Sequence, residues 1–291
     1  MVKSNLKEKK TVKKADLKVV DVNAVKTTAY SDINLKQWRN YDHVKTDTLW
    51  EFPNRLKEGG HSNEYHGNYI PQIAQQIYER YTKKNDIVLD LFFGSGTSGI
   101  EAVNMDRRCI GVELKDELAE AVSEKFTPKQ LVTDVNIICA DSASETAKEK
   151  VQARLDIMGA KKAQLLMLHP PYDDIIKFSD KKEDLSNCST TEEFYDLFEK
   201  VAKNGYDLLE KGRFACLIIG DKYANSQHIP LGFECMARMN KLGFITKAII
   251  IKDMQGNERA KGKTANLWRY RALAGGFYIF KHEYVMVFQK V

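Results

Sequence analysis

Two short segments hold residue types whose spacing can do chemistry. Val88 to Ala102 reads VLDLFFGSGTSGIEA, and Leu168 to Tyr172 reads LHPPY. In the first, the apolar run Ile87-Val88-Leu89 ends at Asp90, as expected of a buried parallel strand. Gly94 and Gly96 then permit backbone angles and a close approach that a Cβ would forbid. Ser95, Thr97 and Ser98 are placed to cap the following helix, whose free N–H groups would face a ligand. A strand, a glycine-rich turn and a helix suit a nucleotide-like cofactor. The second segment is a rigid Pro-Pro-aromatic step after another apolar run. Such a step suits a site that grips a planar ring and its exocyclic amine.

Two further acidic residues extend the first site. Cys109 to Val112 is an apolar run ending at Glu113, 23 residues beyond Asp90. That spacing is the usual device for holding a ribose diol. A third run, Val135 to Ala140, ends at Asp141, placed to meet the adenine amino group of such a cofactor. A dinucleotide-binding dehydrogenase has the same glycine spacing, since Gly94, Gly96 and Gly99 match its fingerprint literally. Its chemistry does not require the HPPY step.

The two motifs together resemble the DNA amino-methyltransferases, which use S-adenosylmethionine (AdoMet) to modify adenine N6 or cytosine N4. The family's cofactor motif, D-x-F-x-G-S-G-T, stands here as Asp90-Leu91-Phe92-Phe93-Gly94-Ser95-Gly96-Thr97. Its catalytic motif, D/N/S-P-P-Y/F/W, stands as His169-Pro170-Pro171-Tyr172. Gly67-Asn68-Tyr69-Ile70-Pro71 resembles the family's cofactor-covering segment, and Lys281 to Phe288 its last strand. The resemblance runs roughly from Thr48 to Val291. It implies that Asp90, Phe92, Phe93, Gly94, Ser95, Gly96, Thr97, Glu113 and Asp141 hold AdoMet. His169 departs from the pattern, because the family has a small polar or acidic residue there.

An exocyclic amine is a poor nucleophile while its lone pair is delocalised into the ring. Accepting hydrogen bonds from both N–H bonds draws that lone pair back. The Pro170 carbonyl can be one acceptor, since proline has no N–H and Pro-Pro geometry directs it. A neutral His169 ring nitrogen, or its carbonyl, can be the other. Tyr172 would stack on a base flipped from the duplex, and Phe178 is either a second wall or core packing. Catalysis of this kind is positioning and electrostatics, with no covalent enzyme intermediate and no metal.

The elements that must position these groups are legible as an alternation. Helices are expected over Ile70–Tyr81 and over 96–105, 116–126, 143–158, 191–210 and 230–242. Strands are expected near 87–90, 109–113, 135–140, 164–169, 213–220, 246–252 and 284–289. This pattern predicts an α/β fold: a doubly wound, mostly parallel, seven-stranded sheet. The family implies that the last two strands form an antiparallel hairpin. The 291 residues, 43% of them hydrophobic, are enough for one large domain with appendages. Residues 26–69 read as an irregular, aromatic-bearing segment packed on a catalytic domain of 70–291.

Charge is uneven. Residues 1–20 hold seven lysines against Glu8 and Asp16, so the net charge of +5 resides there and the remainder balances. Residues 1–25 therefore read as a basic, disordered tail, either adding phosphate contacts or merely solvated. Lys252, Arg259, Lys261, Lys263, Arg269 and Arg271 flank Trp268 and Tyr270, which suits a loop over 252–282 that grips phosphate and reads bases. Residues 173–190 form a second candidate DNA-contact loop. Asp221 follows another buried strand and either lines the target pocket or sits in a surface turn. The five scattered cysteines lack a C-x-x-C pair and read as reduced core residues of a cytoplasmic protein. No apolar run approaches 18 residues, so no membrane span is expected.

The partner expected is double-stranded DNA, with a cognate restriction enzyme left open. An RNA methyltransferase and a catalytically inactive DNA-binding subunit remain as alternatives.

Overall fold

Short apolar runs bounded by turn residues become strands of a single sheet, and the amphipathic segments between them become its covering helices. The structure is a computed structural model describing residues 27–61, 67–126, 135–254 and 265–291. In chain order the elements are β1 (Leu49–Trp50), α1 (Pro71–Tyr81), β2 (Ile87–Asp90), α2 (Thr97–Asn104), β3 (Arg108–Glu113) and α3 (Asp116–Lys125). Then come β4 (Val135–Cys139), α4 (Glu145–Ile157), β5 (Ala163–Leu168), α5 (Thr191–Leu208), β6 (Leu209–Ile219) and the hairpin strands β7 (Lys222–Ala224) and β8 (Gln227–Ile229). The chain finishes with α6 (Leu231–Lys241), β9 (Phe244–Asp253), α7 (Ala265–Gly275) and β10 (His282–Lys290). The basic tail lies outside the described residues. Among the described residues no helix is long and apolar enough to cross a membrane.

The large sheet has the order β1-β9-β10-β6-β5-β2-β3-β4. Among the described strands of this sheet, only β10 runs against its neighbours, β6 and β9. Both faces are buried, so the central strands are apolar on successive residues instead of alternating. Leu89 and Ile87 face a core completed by Val151 and Leu155 of α4, Phe194 and Phe198 of α5 and Cys235 of α6. Val88 and Met167 face the other core, completed by Ile73 and Ile77 of α1, Ile100 of α2 and Val122 of α3. Helices on both faces make the sheet doubly wound, as the alternation predicts.

The count differs from expectation by one. Leu49 and Trp50 pair in parallel with Ile251 and Lys252, adding an eighth strand at the edge of β9. Two residues carry no periodicity, so only the open edge of β9 reveals them. The stretch 26–69 thus supplies part of the sheet and does not merely pack on it. The β7–β8 hairpin and α7 carry no signal in the alternation either.

One close approach anchors the cofactor side. A Cβ on Gly111 of β3 would collide with the Phe93 ring, and one on Gly99 would come within 2.8 Å of it. Gly111→Ala therefore overpacks a full core. It is expected to cost about 1–3 kcal/mol and lower Tm by roughly 2–10 °C, measured by thermal unfolding. An unchanged Tm would mean that Phe93 moves freely.

Candidate active site

The strand order decides where the two motifs meet. From β2 the sheet grows one way to β3 and β4, and the other way to β5 and β6. The crevice at the carboxyl ends of strands flanking such a reversal is where α/β sheets bind ligands. The glycine turn leaves β2 and the HPPY step leaves β5, its neighbour, with Asp90 opposite Met167. The contact continues just past the strand end, where the Leu91 N–H donates to the Met167 carbonyl at 3.4 Å.

Asp90 shapes the turn. One of its carboxylate oxygens accepts the Phe92 N–H at 2.9 Å and the other accepts the Ser98 hydroxyl. Burial pushes its pKa up to about 6, against the pull of those two bonds. Gly94 and Gly96 adopt φ of +53° and +89°. The expected caps are absent: α2 starts from Gly96 without a side-chain cap. Ser95 instead accepts from the Asn68 amide at 2.5 Å, and Ser98 meets the Tyr69 hydroxyl at 2.5 Å. The Gly67–Pro71 segment is thereby fastened over the turn. Thr97 is buried and Phe92 half-buried. Phe93 corrects the expectation for its side chain. At 3% exposure its ring fills the core against Gly111 and Gly99, leaving only its backbone in the turn.

Glu113 closes β3. Its carboxylate accepts the Gly94 N–H and the Lys115 N–H, each at 2.9 Å, and burial raises its pKa. Asp141 follows β4 and accepts the Ala143 N–H at 2.9 Å. Each carboxylate keeps lone pairs for further donors, such as sugar hydroxyls and an amino group. The donor–acceptor chemistry along this edge therefore fits AdoMet.

At the neighbouring strand the His169 ring packs edge-on against Tyr69 and Tyr172, with centroids 5.3 and 5.7 Å away. Its Nε2 lies 3.4 Å from the Tyr172 hydroxyl. That hydroxyl donates to Glu283 at 2.8 Å, and the Lys252 ammonium donates to the other Glu283 oxygen at 2.9 Å. The Tyr172 ring lies on Gly220, where a Cβ would meet it at 2.9 Å. Asp173, at φ +52°, follows the motif. Its buried carboxylate accepts from Thr191 and Lys222, fixing the exit of the step.

Burial lowers the His169 pKa to about 4, although Glu283 pulls the other way. Burial pushes the Glu283 carboxyl up, but the Lys252 ammonium and the Tyr172 hydroxyl hold it below its ordinary value. His169 is therefore neutral at pH 7. Between its ordinary 6.5 and about 4 the unfolded chain takes up this proton and the folded chain does not, so stability is lost as pH falls through that window. Asp90, raised to about 6, acts in the opposite sense, so the comparison must be made between variants. The stability advantage of wild type over His169→Asn is expected to be about 2–3 kcal/mol smaller at pH 4.5 than at pH 7, by chemical denaturation. A pH-independent difference would contradict a depressed His169 pKa.

The basic stretch divides. Lys252 is a correction: at 6% exposure it is committed to Glu283 and is not a phosphate contact. It lies near the end of β9 directly opposite Glu283, so the register pairs them. Arg259, Lys261 and Lys263 lie outside the described residues. Arg269 and Arg271 are exposed on α7, with Arg271 stacked 5.3 Å from the Trp268 ring. Asp221 does not sit in an exposed surface turn. It is buried, accepting from Tyr284 and the Gly232 N–H at 3.0 Å and facing His228 at 2.9 Å. In the 173–190 loop, Lys181 reaches back to the Leu114 carbonyl at 2.7 Å, and Phe178 lies against Gly67.

Sequence reasoning missed Glu283 and Arg55. Arg55 donates to the Asn68 carbonyl at 3.0 Å, and its buried Nε has no partner among the described residues. Glu283 left one signal, a lone acid opening the apolar run of β10.

This sheet order, with a glycine turn after one central strand and acids closing the next two, defines the class I methyltransferase type of α/β fold. One solved structure aligned with it, the [4+2]-cyclase SpnF, has a TM-score of 0.51 at 12% identity over 76% of this chain and 81% of that one. It shares the fold alone, and activity has to be argued from the site. The DNA methylase family model matches residues 3–124 and 163–291, and the chain belongs to that family. Curated relatives include a protein named probable type III restriction-modification enzyme HindVI Mod subunit from Haemophilus influenzae, 34% identical over 33% of this chain and 13% of that one. Another is the type II methyltransferase M2.MboI of Moraxella bovis, 32% identical over 33% of this chain and 35% of that one. The matched stretches thus span well under two thirds of these relatives.

Proposed function

We propose that this chain is a DNA methyltransferase that transfers a methyl group from AdoMet to the exocyclic amine of a base flipped out of double-stranded DNA, with adenine N6 ahead of cytosine N4. The observation that carries this reading is the adjacency of the glycine turn and the HPPY step on neighbouring strands at the sheet's reversal. Gly94 to Thr97, Glu113 and Asp141 would hold AdoMet, which supplies an electrophilic methyl group on a sulfonium. Asp90 holds the turn in shape from beneath. The Pro170 carbonyl and the neutral His169 ring accept the two amine protons, and Tyr172 stacks on the ring. Arg269 and Arg271 face solvent on α7 and would meet the phosphate backbone, with the 173–190 and 252–282 segments flanking the duplex. The basic tail over 1–25 would add phosphate contacts. A cytoplasmic location and a cognate restriction enzyme accord with this reading.

Incubating the protein with unmethylated plasmid DNA and labelled AdoMet, then analysing nucleosides by mass spectrometry, tests it. A labelled N6-methyladenine or N4-methylcytosine peak supports the reading and names the base. Label in RNA only, or in neither nucleic acid while AdoMet still binds, overturns it. Glu113→Gln is expected to weaken AdoMet binding about fivefold by calorimetry, because a charge-assisted hydrogen bond becomes a neutral one. Undiminished affinity would remove Glu113 from the cofactor site.

A further inference from the structure

We infer that Lys252, Glu283 and Tyr172 form a positioning relay that keeps the imidazole proton of His169 on Nε2 and leaves Nδ1 bare as the acceptor for the target amine. The inference rests on the methyltransferase reading and extends it to a residue where the family pattern is broken.

The relay follows from what each group can give or take. An ammonium only donates, and Lys252 donates to one oxygen of Glu283 at 2.9 Å. An ionised carboxylate only accepts, so the Tyr172 hydroxyl must donate its one proton to the other oxygen, at 2.8 Å. Its own oxygen then faces His169 Nε2, 3.4 Å away, as an acceptor. The ring therefore presents Nε2–H there, and a neutral imidazole with one proton has no proton left for Nδ1. The carboxylate missing from the first motif position is thus supplied from β10, acting through Tyr172.

The same arrangement serves the proton that nitrogen sheds once it is alkylated. The N–H bond breaks with its electron pair remaining on nitrogen, and a new N–H bond forms at Nδ1. The resulting imidazolium faces the Glu283 charge across Tyr172, the role an orienting carboxylate plays for a catalytic histidine. The groups around the ring are Tyr69 before α1, Tyr172 in the motif, Glu283 on β10, Lys252 on β9 and Arg55 ahead of α1. The two cations oppose protonation and the one carboxylate favours it. Burial makes His169 a weak base at rest, which keeps the acceptor nitrogen free at neutral pH.

The test combines nitrogen-15 NMR of histidine-labelled protein with methyl transfer. His169 signals are identified by their loss in His169→Asn. Wild type is expected to show the Nε2–H tautomer. Glu283→Gln turns an acceptor into a donor toward Tyr172, so the relay reverses and the tautomer shifts toward Nδ1–H. In that variant kcat falls about tenfold or more, with AdoMet affinity and the KM for DNA unmoved. Glu283→Asp restores part of the rate. Tyr172→Phe, which keeps the ring and its packing, weakens the Nε2–H preference even if Glu283→Gln fails to fold. An Nδ1–H tautomer in an active wild type overturns the relay and leaves the methyltransferase reading standing. An Nε2–H tautomer without methyl transfer to any nucleic acid overturns that reading, and with it the role given to Nδ1.

Discussion

His169→Ala lowers kcat for methyl transfer by about 10²–10⁴-fold, the range for losing a positioned proton acceptor. AdoMet binding is retained, because the glycine turn, Glu113 and Asp141 belong to other strands. Single-turnover labelling with saturating AdoMet separates the chemical step from cofactor affinity. The informative companion is His169→Asp, which restores the acidic form of the family motif. It is not expected to rescue at neutral pH. A second carboxylate would share the pocket with Glu283, and like charges in a buried site raise one of the two pKa values. Its rate should instead climb with pH. Full activity of His169→Asp at pH 7 would show that Glu283 has no electrostatic hold on this position.

Tyr172→Ala lowers kcat by about 10–100-fold, since base–aromatic stacking is worth about 1–3 kcal/mol per base. The loss includes the Glu283 contact, whose Oε2 would be left without the phenol. AdoMet binding again persists, measured by calorimetry. Tyr172→Phe separates the two effects, because it keeps the stacking face and removes only the hydroxyl. If alanine and phenylalanine cost the same, Tyr172 acts only through its hydroxyl and does not support the base. Unchanged turnover in both would remove this residue from the site.

Much of the architecture is legible from local pattern. The strands at 87–90 and 164–169, and the helix at 70–81, fall within a residue or so of β2, β5 and α1. Their apolar runs are bounded by turn residues, and a doubly covered sheet leaves uninterrupted apolar strands. The eighth strand is not legible, since Leu49-Trp50 has no period and is defined wholly by its partner Ile251-Lys252. The Phe93 side chain escapes the motif for a related reason. A motif position says which backbone lies in the turn, not where its ring points. Only the glycines at 99 and 111, apart in sequence and joined in space, show the room it fills.

The chain's own chemistry determined the two motifs, their order and the class of reaction they suit, because glycine φ, proline's missing N–H and acidic strand ends are properties of local sequence. The tertiary structure decided which charges do what. Lys252 and Glu283 lie 31 residues apart, and only the β9–β10 register sets them face to face. That pairing turns a lysine that looked fit for phosphate into the end of a buried chain reaching His169. Charge alone cannot announce such a role, because burial and a partner are properties of the fold and not of the residue.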